Sequence, residues 1–258
     1  MFQTERQGKI LDYVNLHKKV RTKELSKAFR TSVVTIRADI DELDAKGLIV
    51  RVHGGAMALS DRFNLEIPSQ SKARQNIDSK RAIGKLAANM IEENDIIILD
   101  SGSTTLEVAK AMPNIPVTVI TNDLKVGLTL ASSKRNVTLI MTGGKVEASV
   151  YTMSGIEVVD FIDHIKVNKL FLGCDAIDEV EGISNRTMSE ARVKQAMIDV
   201  AVSVIAVADS SKIGKEVFFH VCDLNKINTF VTDKIADKKR ELFEASGVSV
   251  IVPENNRK

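Results

Sequence analysis

The segment at 100–105, with the sequence DSGSTT, has residue types suited to holding an anionic ligand. It joins an apolar run at 95–100, which predicts a strand buried on both faces, to a predicted helix at 104–112. Its glycine lets the backbone approach a ligand closely, and free N–H groups at a helix N-terminus favour negative charge. The segment therefore predicts a phosphate site. It has neither the Walker A nor the GxGxxG pattern, so nucleotide binding is disfavoured.

Four more polar segments follow predicted strands, at 121–122, 142–144, 174–178 and 209–212. Ligands of parallel sheets bind at the carboxyl ends of the strands, so we expect these segments to line one site with the first. Two lysines would complement a phosphate and four carboxylates would bind sugar hydroxyls: Lys194, Lys212, Asp100, Asp175, Asp178 and Glu190. The alternative for Glu190 and Lys194 is a surface ion pair on a solvated helix, because they stand at i and i+4.

The elements that must position these side chains alternate between strand and helix. Apolar, β-branched runs predict strands at 95–100, 117–121, 137–141, 169–173, 203–209, 229–233 and 248–252. Amphipathic patterns predict helices at 75–93, 104–112, 123–131, 155–164, 187–200 and 235–246. This alternation is typical of an open, mostly parallel α/β sheet.

A different chemistry is encoded at 31–47, TSVVTIRADIDELDAKG. Ser32 is suited to an N-cap and Gly47 to a helix end, and an apolar stripe recurs at Val33, Ile36, Ile40 and Leu43. The opposite face presents four residues that suit DNA base edges, with an Arg fork for guanine, a hydroxyl, and methyl groups for thymine: Val34, Thr35, Arg37 and Ala38. The stretch thus predicts a DNA-reading helix, with an ordinary packing helix as the alternative.

The surrounding elements complete a winged helix-turn-helix. We predict a first helix at 5–16, an extended link at 20–21, and a second helix that Thr22 caps and that runs to Phe29. A hairpin at 48–59 would form the wing, turning at 53–55, with Arg51 and His53 along the phosphate backbone. The full set of DNA-binding candidates is Ser32, Val33, Val34, Thr35, Arg37, Ala38, Arg51 and His53.

Charge and composition agree with two domains in the 258 residues. Residues 1–58 carry a net charge of +4 and the remainder −2, which favours a polyanionic partner for the front segment. We predict a DNA-binding domain at 1–59, a linker at 60–75 and an effector domain at 76–258. The sequence has no long apolar run or signal region, two cysteines and four scattered histidines. We therefore expect a cytoplasmic protein with no membrane segment, metal or cofactor.

Taken together, these motifs resemble the DeoR (deoxyribose operon repressor) family of bacterial transcription regulators. The resemblance rests on SVVTIRADIDELDAKGLIVRVHGGA in the front segment, and on ILDSGSTT, VITND, MTGG, LFLGCDAID, GISNRTMSEARVKQAM and ADSSKIG behind it. It covers nearly the whole chain, from about residue 5 to residue 252. It implies an effector domain similar to ribose-5-phosphate isomerase and CoA-transferase folds, and a homo-oligomer, dimer or tetramer, that binds operator DNA of a sugar operon.

The resemblance also implies a site for a phosphorylated sugar and no catalytic residue. The implied effector-binding positions are Asp100, Ser101, Gly102, Ser103, Thr104, Thr105, Thr121, Asn122, Gly143, Gly144, Asp175, Glu190, Lys194 and Lys212. Within the family, the motifs are most similar to regulators of amino-sugar or hexitol utilisation. Two positions depart from the family pattern: Ala38 replaces a second arginine, which should shift base preference, and Cys174 replaces a small residue.

Two alternatives belong to other functional classes. A phosphosugar isomerase with an added DNA-binding domain would use Asp175, Glu190 and Lys194 in acid/base roles. The sequence around Glu190 lacks the Gly-rich segment of those isomerases, which disfavours this alternative. A nucleoid-type DNA binder without a ligand is disfavoured by the size and the polar segments of the second domain.

Overall fold

The computed structural model describes residues 3–17, 19–46, 48–52, 54–58, 72–73, 75–148 and 150–253. The chain divides into two compact units, residues 1–65 and 66–258. No helix within the described ranges combines the length and the apolarity that crossing a membrane requires. The expected turn at His53, the helix end at Gly47 and the linker residues 60–71 fall outside these ranges.

The first unit is a winged helix-turn-helix, as predicted. Its helices are α1 (Gln3–His17), α2 (Thr22–Ala28) and α3 (Val33–Ala45), and its strands are β1 (Lys19–Arg21), β2 (Ile49–Val52) and β3 (Gly55–Ala58). The strands pair antiparallel in the order β1-β3-β2, so the predicted link at 20–21 is a strand of the wing sheet. Ile10, Leu25, Ile36 and Ile40 form the centre of the core beneath α3.

The start of α2 differs from the prediction. Arg21, whose backbone is extended, is the N-cap, and its N–H donates to the Glu24 carboxylate at 3.0 Å. Thr22 is the first helical residue, and its own N–H donates to the carbonyl of Gly54 at 2.8 Å. The hydrogen bond ties the beginning of α2 to the wing.

The second unit is built on a seven-stranded parallel sheet with the order β15-β14-β12-β9-β4-β5-β6. Its strands are β4 (Ile96–Leu99), β5 (Val117–Thr121), β6 (Val137–Met141), β9 (Val167–Leu172), β12 (Ala201–Val207), β14 (Thr229–Val231) and β15 (Ser249–Ile251). Its helices are α4 (Ile77–Ala88), α5 (Ser103–Ala111), α6 (Leu124–Ala131), α7 (Ile156–Asp163), α8 (Met188–Val200) and α9 (Asp237–Ala245).

Alternating side chains of the central strands pack into two different cores. Ile97 and Leu99 join a cluster with residues of α4, α5 and α6, whereas Ile98 joins a cluster with residues of α7, α8 and α9. Phe171 and its neighbour Leu170 divide in the same way. The sheet is therefore covered by helices on both faces, which explains why the central strand β4 is a continuous apolar run.

The strand order reverses between β4 and β9. From β4 the chain adds β5 and β6 on one side, and then crosses back to place β9 on the other side of β4. At such a reversal the loops after the two neighbouring strands leave the sheet in opposite directions and open a crevice at their carboxyl ends. Two of the predicted polar segments, those after residues 99 and 172, are the loops at this point.

Short strands outside the large sheet were not predicted. They are the hairpin β7 (Lys145–Glu147) and β8 (Thr152–Ser154), and the antiparallel sheet of β10 (Ala176–Asp178), β11 (Gly182–Asn185) and β13 (Phe219–Cys222). Helix α4 also ends at Ala88, before the predicted residue 93, with Asn89 as its C-cap, and Asn94 in the following turn has a positive φ of 66°.

Helices α4 and α5 approach each other closely at Gly84. A Cβ added there would lie 2.6 Å from the carbonyl carbon of Glu107 and 2.7 Å from its oxygen, both in the backbone of α5. Backbone atoms in a helix cannot move alone, so any side chain at this position must separate the two helices.

Gly84→Ala should lower the free energy of unfolding of the second unit by about 1–2 kcal/mol. Overpacking costs about 1–3 kcal/mol, and the better helix propensity of alanine returns up to about 1 kcal/mol. Calorimetry of the full chain measures the change. Gly127→Ala is the matched control in α6, since its Cβ would meet only the flexible side chain of Met141. Equal effects of the two substitutions would contradict the close backbone contact.

Candidate ligand pocket and DNA-binding face

A pocket that is partly open to solvent lies where the strand order reverses. Its walls come from the residues before and within α4, the β4–α5 loop, and the loops after β9 and β12. The lining residues are Lys72, Gln75, Asn76, Lys80, Ser101, Gly102, Ser103, Thr104, Val150, Thr152, Gly173, Cys174, Asp175, Asn185, Glu190, Lys194, Val207, Ala208, Asp209, Ser211 and Lys212.

The β4–α5 loop brings the N-terminus of α5 to the pocket. Gly102 is the N-cap and has φ 150°, a conformation that favours glycine, and its N–H donates to an oxygen of Asp123 at 3.2 Å. The Thr105 hydroxyl donates back to the carbonyl of Gly102 at 2.9 Å. The first N–H groups of a helix have no partner within it, so those of Ser103 and Thr104 are available to an anion.

A buried ion pair fixes the two strand ends on either side of the reversal. Lys194 on α8 donates to Asp100 after β4 and, at 3.0 Å, to the carbonyl of Gly173 after β9. The N–H of Gly173 donates to the same Asp100 oxygen at 2.9 Å. Burial alone would lower the pKa of Lys194, but the Asp100 carboxylate next to it raises the pKa instead. Lys194 is therefore charged, and its side chain is 3% exposed.

A second polar cluster surrounds Asp175. Its carboxylate lies 2.8 Å from Lys72 Nζ, and the Asn185 amide nitrogen lies 3.5 Å from the other oxygen. Although burial alone would raise it, the pKa of Asp175 is lowered to about 2 by Lys72 and, further away, Lys212 and Arg186. Asp175 is thus ionised at neutral pH.

Asn185 connects Asp175 to Glu190 and has one free acceptor. Its amide nitrogen donates to Glu190 Oε2 at 3.2 Å, which leaves the amide oxygen as an acceptor. That oxygen is buried and has no hydrogen-bond partner among the described residues. Burial raises the pKa of Glu190. The interpretation of Glu190 and Lys194 as a solvated surface pair is wrong, because both line the pocket and Lys194 bonds to Asp100 instead.

Lysines provide the positive charge of the pocket. Lys80 is buried, its ammonium donates to the carbonyls of Lys72 and Gln75 at 2.5 and 2.6 Å, and burial lowers its pKa. The Lys212 ammonium, which follows β12, has no hydrogen-bond or ion-pair partner within the described part of the chain. Lys72 and Gln75 fall in the predicted linker, so the sequence analysis missed them: the second unit begins earlier than residue 76.

The structure brings eight of the fourteen predicted effector residues to this pocket: Ser101, Gly102, Ser103, Thr104, Asp175, Glu190, Lys194 and Lys212. The other six are outside its lining: Asp100, Thr105, Thr121, Asn122, Gly143 and Gly144. Asp100 and Thr105 lie outside the lining and stabilise it through hydrogen bonds, Asp100 with Lys194 and Gly173 and Thr105 with Gly102. The Thr121 hydroxyl accepts from the N–H of Asp123 at 3.1 Å, and the Asn122 amide donates to the carbonyl of Met153 at 3.1 Å.

The two remaining glycines serve the turn between β6 and β7. Gly143 and Gly144 have φ of 73° and 95°, and a Cβ on Gly144 would lie 3.0 Å from the carbonyl oxygen of Ser154. Asp178, the other candidate carboxylate, lies 3.9 Å from Lys239 and outside the lining. Burial raises the pKa of the Cys174 thiol to about 12, so this cysteine is a neutral wall residue.

The DNA-binding candidates of α3 divide into a capping group and an exposed face. Ser32 is the N-cap, as predicted, and its hydroxyl accepts from the N–H of Thr35 at 3.1 Å. Val34 is 75% exposed, and Arg37 and Ala38 are exposed as well, whereas Val33 is half-buried. The guanidinium of Arg37 has no hydrogen-bond or ion-pair partner among the described residues, so its fork is free.

Three of the four carboxylates in the second half of α3, those of Asp39, Asp41 and Glu42 but not of Asp44, are paired with cations of the same unit. Asp39 is buried and accepts two hydrogen bonds from the guanidinium of Arg6 on α1, at 2.5 and 3.1 Å. Asp41 pairs with Arg51 of the wing at 2.6 Å. Glu42 pairs with Lys46 at 2.7 Å. Arg51 is therefore held beside α3 by an exposed ion pair, which solvent makes weak.

Two family models match the chain: a DeoR-like helix-turn-helix domain at residues 6–62, and a DeoR C-terminal sensor domain at residues 75–234. The uncharacterized HTH-type transcriptional regulator YulB of Bacillus subtilis is 35% identical, over 92% of this chain and 91% of its own. A lactose phosphotransferase system repressor of Staphylococcus epidermidis is 28% identical, over 95% and 98%.

Among solved structures, ribose 5-phosphate isomerase A of Methanocaldococcus jannaschii is similar with a TM-score of 0.41 and 16% identity, over 54% of this chain and 55% of that one. The two family models and the regulators of similar length identify the function class. They do not support the isomerase alternative, because the family consists of regulators and not of enzymes. The chain belongs to the DeoR family and is a DNA-binding transcriptional regulator.

Proposed function

We propose that this regulator is a repressor of a sugar uptake or catabolism operon, and that a phosphorylated sugar in the pocket at the strand reversal controls its operator binding. The observation that carries the proposal is that the α5 N-terminus meets the ammonium of Lys212 in one pocket, and that this ammonium has no hydrogen-bond or ion-pair partner among the described residues. Backbone N–H groups at a helix start and a lysine without an acidic partner are a strong combination for a phosphate.

Other groups of the pocket wall suit hydroxyl groups. Asp175 is an ionised acceptor, and the buried amide oxygen of Asn185 lacks a donor among the described residues. A buried acceptor without a donor costs about 1–3 kcal/mol, which a ligand hydroxyl would recover. The pocket therefore favours a ligand with one phosphate and several hydroxyls, and disfavours a purely apolar one.

The proposal includes a homo-oligomer that acts in the cytoplasm. A winged helix reads a short half-site, and two copies one helical turn apart supply the length of an operator. We assign DNA binding to the first unit and effector binding to the second, with a joining segment that ends before Lys72 and not at residue 75, since Lys72 and Gln75 line the pocket.

A thermal-shift screen tests the proposal with phosphorylated sugars, the same sugars without phosphate, and inorganic phosphate. A sugar phosphate at about a hundred times its Kd should stabilise the second unit by about 2.7 kcal/mol. Lys212→Met should weaken binding about tenfold or more, as expected for the loss of one charge-assisted hydrogen bond. Lys226→Met, an exposed lysine outside the pocket, is the matched control. Stabilisation by none of the phosphorylated sugars, or an unchanged affinity of Lys212→Met, would contradict the assignment.

A further inference from the structure

Lys72 lies near the start of the second unit in sequence, and its side chain lines the pocket. Its ammonium lies 2.8 Å from Asp175, and the two side chains are 19% and 3% exposed. The second unit starts at residue 66, so Lys72 lies close in sequence to the boundary with the DNA-binding unit. A residue at the entry of the domain is thus in direct contact with a carboxylate of the pocket.

The backbone around Lys72 is fastened to the pocket by neighbouring side chains. The ammonium of Lys80 donates to the carbonyls of Lys72 and Gln75, and the amide of Asn76 donates to Asp209 at 2.8 Å. The ion pair to Asp175 is the contact in this group that depends on the side chain of Lys72. A phosphorylated sugar would compete with this ion pair, because its phosphate can bind the ammonium of Lys72 and its hydroxyls can bind the carboxylate of Asp175.

We propose that Lys72 couples the pocket to operator binding, by exchanging its partner between Asp175 in the ligand-free protein and the anionic group of a bound sugar phosphate. This inference rests on the proposed function. The ligand hydroxyls donate hydrogen bonds to the carboxylate of Asp175, and the phosphate accepts hydrogen bonds from the ammonium of Lys72. The backbone around Lys72 is then held by the ligand and no longer by the protein alone, and we expect the affinity for operator DNA to change with it.

The surroundings make this exchange feasible. Lys212 and Arg186 still lie near Asp175 when Lys72 moves away, and their positive charges favour the ionised form of its carboxyl group. Lys80 bonds to the backbone of Lys72 and not to its side chain, which leaves the ammonium free to turn. For the same reasons Lys72→Met should fold, because it leaves Asp175 near two cations and leaves the contacts of Lys80 in place.

The test compares two affinities for a DNA duplex selected from a random library. One is measured without ligand and the other with a saturating sugar phosphate taken from the thermal-shift screen, and the readout is their ratio. We expect Lys72→Met to lose most of this response, bringing the ratio close to one, and Lys72→Arg to retain it. Saturation removes the effect of a lower ligand affinity. Lys169→Met is the matched control, since Lys169 pairs with Asp95 at 2.7 Å with similar burial, at the opposite end of the sheet.

The outcomes separate this inference from the proposed function. If Lys72→Met binds the sugar phosphate and keeps the wild-type ratio, the coupling role is wrong while the effector site stands. If Lys169→Met loses the ratio as fully as Lys72→Met, the effect is general and the coupling role is also wrong. If no sugar phosphate stabilises the wild-type protein, the proposed function fails, and this inference fails with it.

Discussion

Lys194→Met should lower the free energy of unfolding of the second unit by about 3–5 kcal/mol, the usual cost of removing one partner from a buried ion pair. The substitution leaves the Asp100 carboxylate buried with only the N–H of Gly173 as a donor among the described residues. Its second oxygen already lacks a hydrogen-bond partner there. Methionine matches the length of lysine, so the loss reports the charge and not a cavity.

Calorimetry of the full chain measures this loss, and a second variant identifies its cause. In Lys194→Met with Asp100→Leu both charges are absent, and the free energy of unfolding should recover part of the loss, since the N–H and the carbonyl of Gly173 still lose their side-chain partners. A single variant within about 1 kcal/mol of wild type would contradict the buried pair, as would a double variant less stable than the single one.

The same pair limits what Lys194 can reveal about ligand binding. The sequence analysis placed Lys194 among the effector residues, and it does line the pocket. Its ammonium, however, already serves Asp100 and the carbonyl of Gly173. A Lys194 variant could therefore lose its response to sugar because the pocket is disturbed or because a contact to the ligand is lost. The binding test uses Lys212 for this reason.

Arg37→Ala should lower the discrimination between operator and random DNA by about 1–3 kcal/mol, roughly 5- to 150-fold. Arg37 lies on the exposed face of α3 and its fork has no partner among the described residues. A free guanidinium on a recognition helix can bond to both acceptors of a guanine, and alanine can bond to neither. The measurement is the ratio of affinities for the selected duplex and a scrambled one.

Arg37→Lys is the control that separates the two roles of a cation on DNA. A lysine keeps the charge but lacks the fork, so it should retain affinity for random DNA and lose most of the discrimination. If Arg37 contacts a phosphate instead, Arg37→Ala should weaken binding equally on both duplexes and reduce the salt dependence by about one phosphate contact. Equal losses on the two duplexes would thus remove Arg37 from base readout.

The sequence predicted those parts of the fold whose signal is local and repeated. Strands β5 and β6 were predicted with the bounds that the structure has, because each is a short run rich in β-branched and apolar residues. The alternation of strands and helices along the sequence also predicted that the polar loops lie at one edge of the sheet. The strands β7, β8 and β10 were missed because three residues cannot establish a period of two.

The limits at the pocket have a different physical cause. A sequence shows that Asp100 or Thr121 follows or ends a strand, but not which way its side chain turns, and both turn into the protein. Lys72 and Lys80 sit in or near a polar stretch without periodicity, so only the folded chain reveals that they face Asp175 and two carbonyls. Asp39 likewise looks like part of an acidic surface until Arg6 of α1 is seen beside it.

The pairing of the acidic half of α3 also bears on how many counterions operator binding releases. Among the described residues of the first unit, several cations are already matched by carboxylates of the same unit: Arg6, Lys9, Lys46 and Arg51. Each phosphate that a protein neutralises contributes about 0.9 to the slope of log affinity against log salt. Cations that exchange a carboxylate for a phosphate gain less than free ones. The salt dependence of DNA binding is therefore set by the unpaired cations and not by the total number of basic residues.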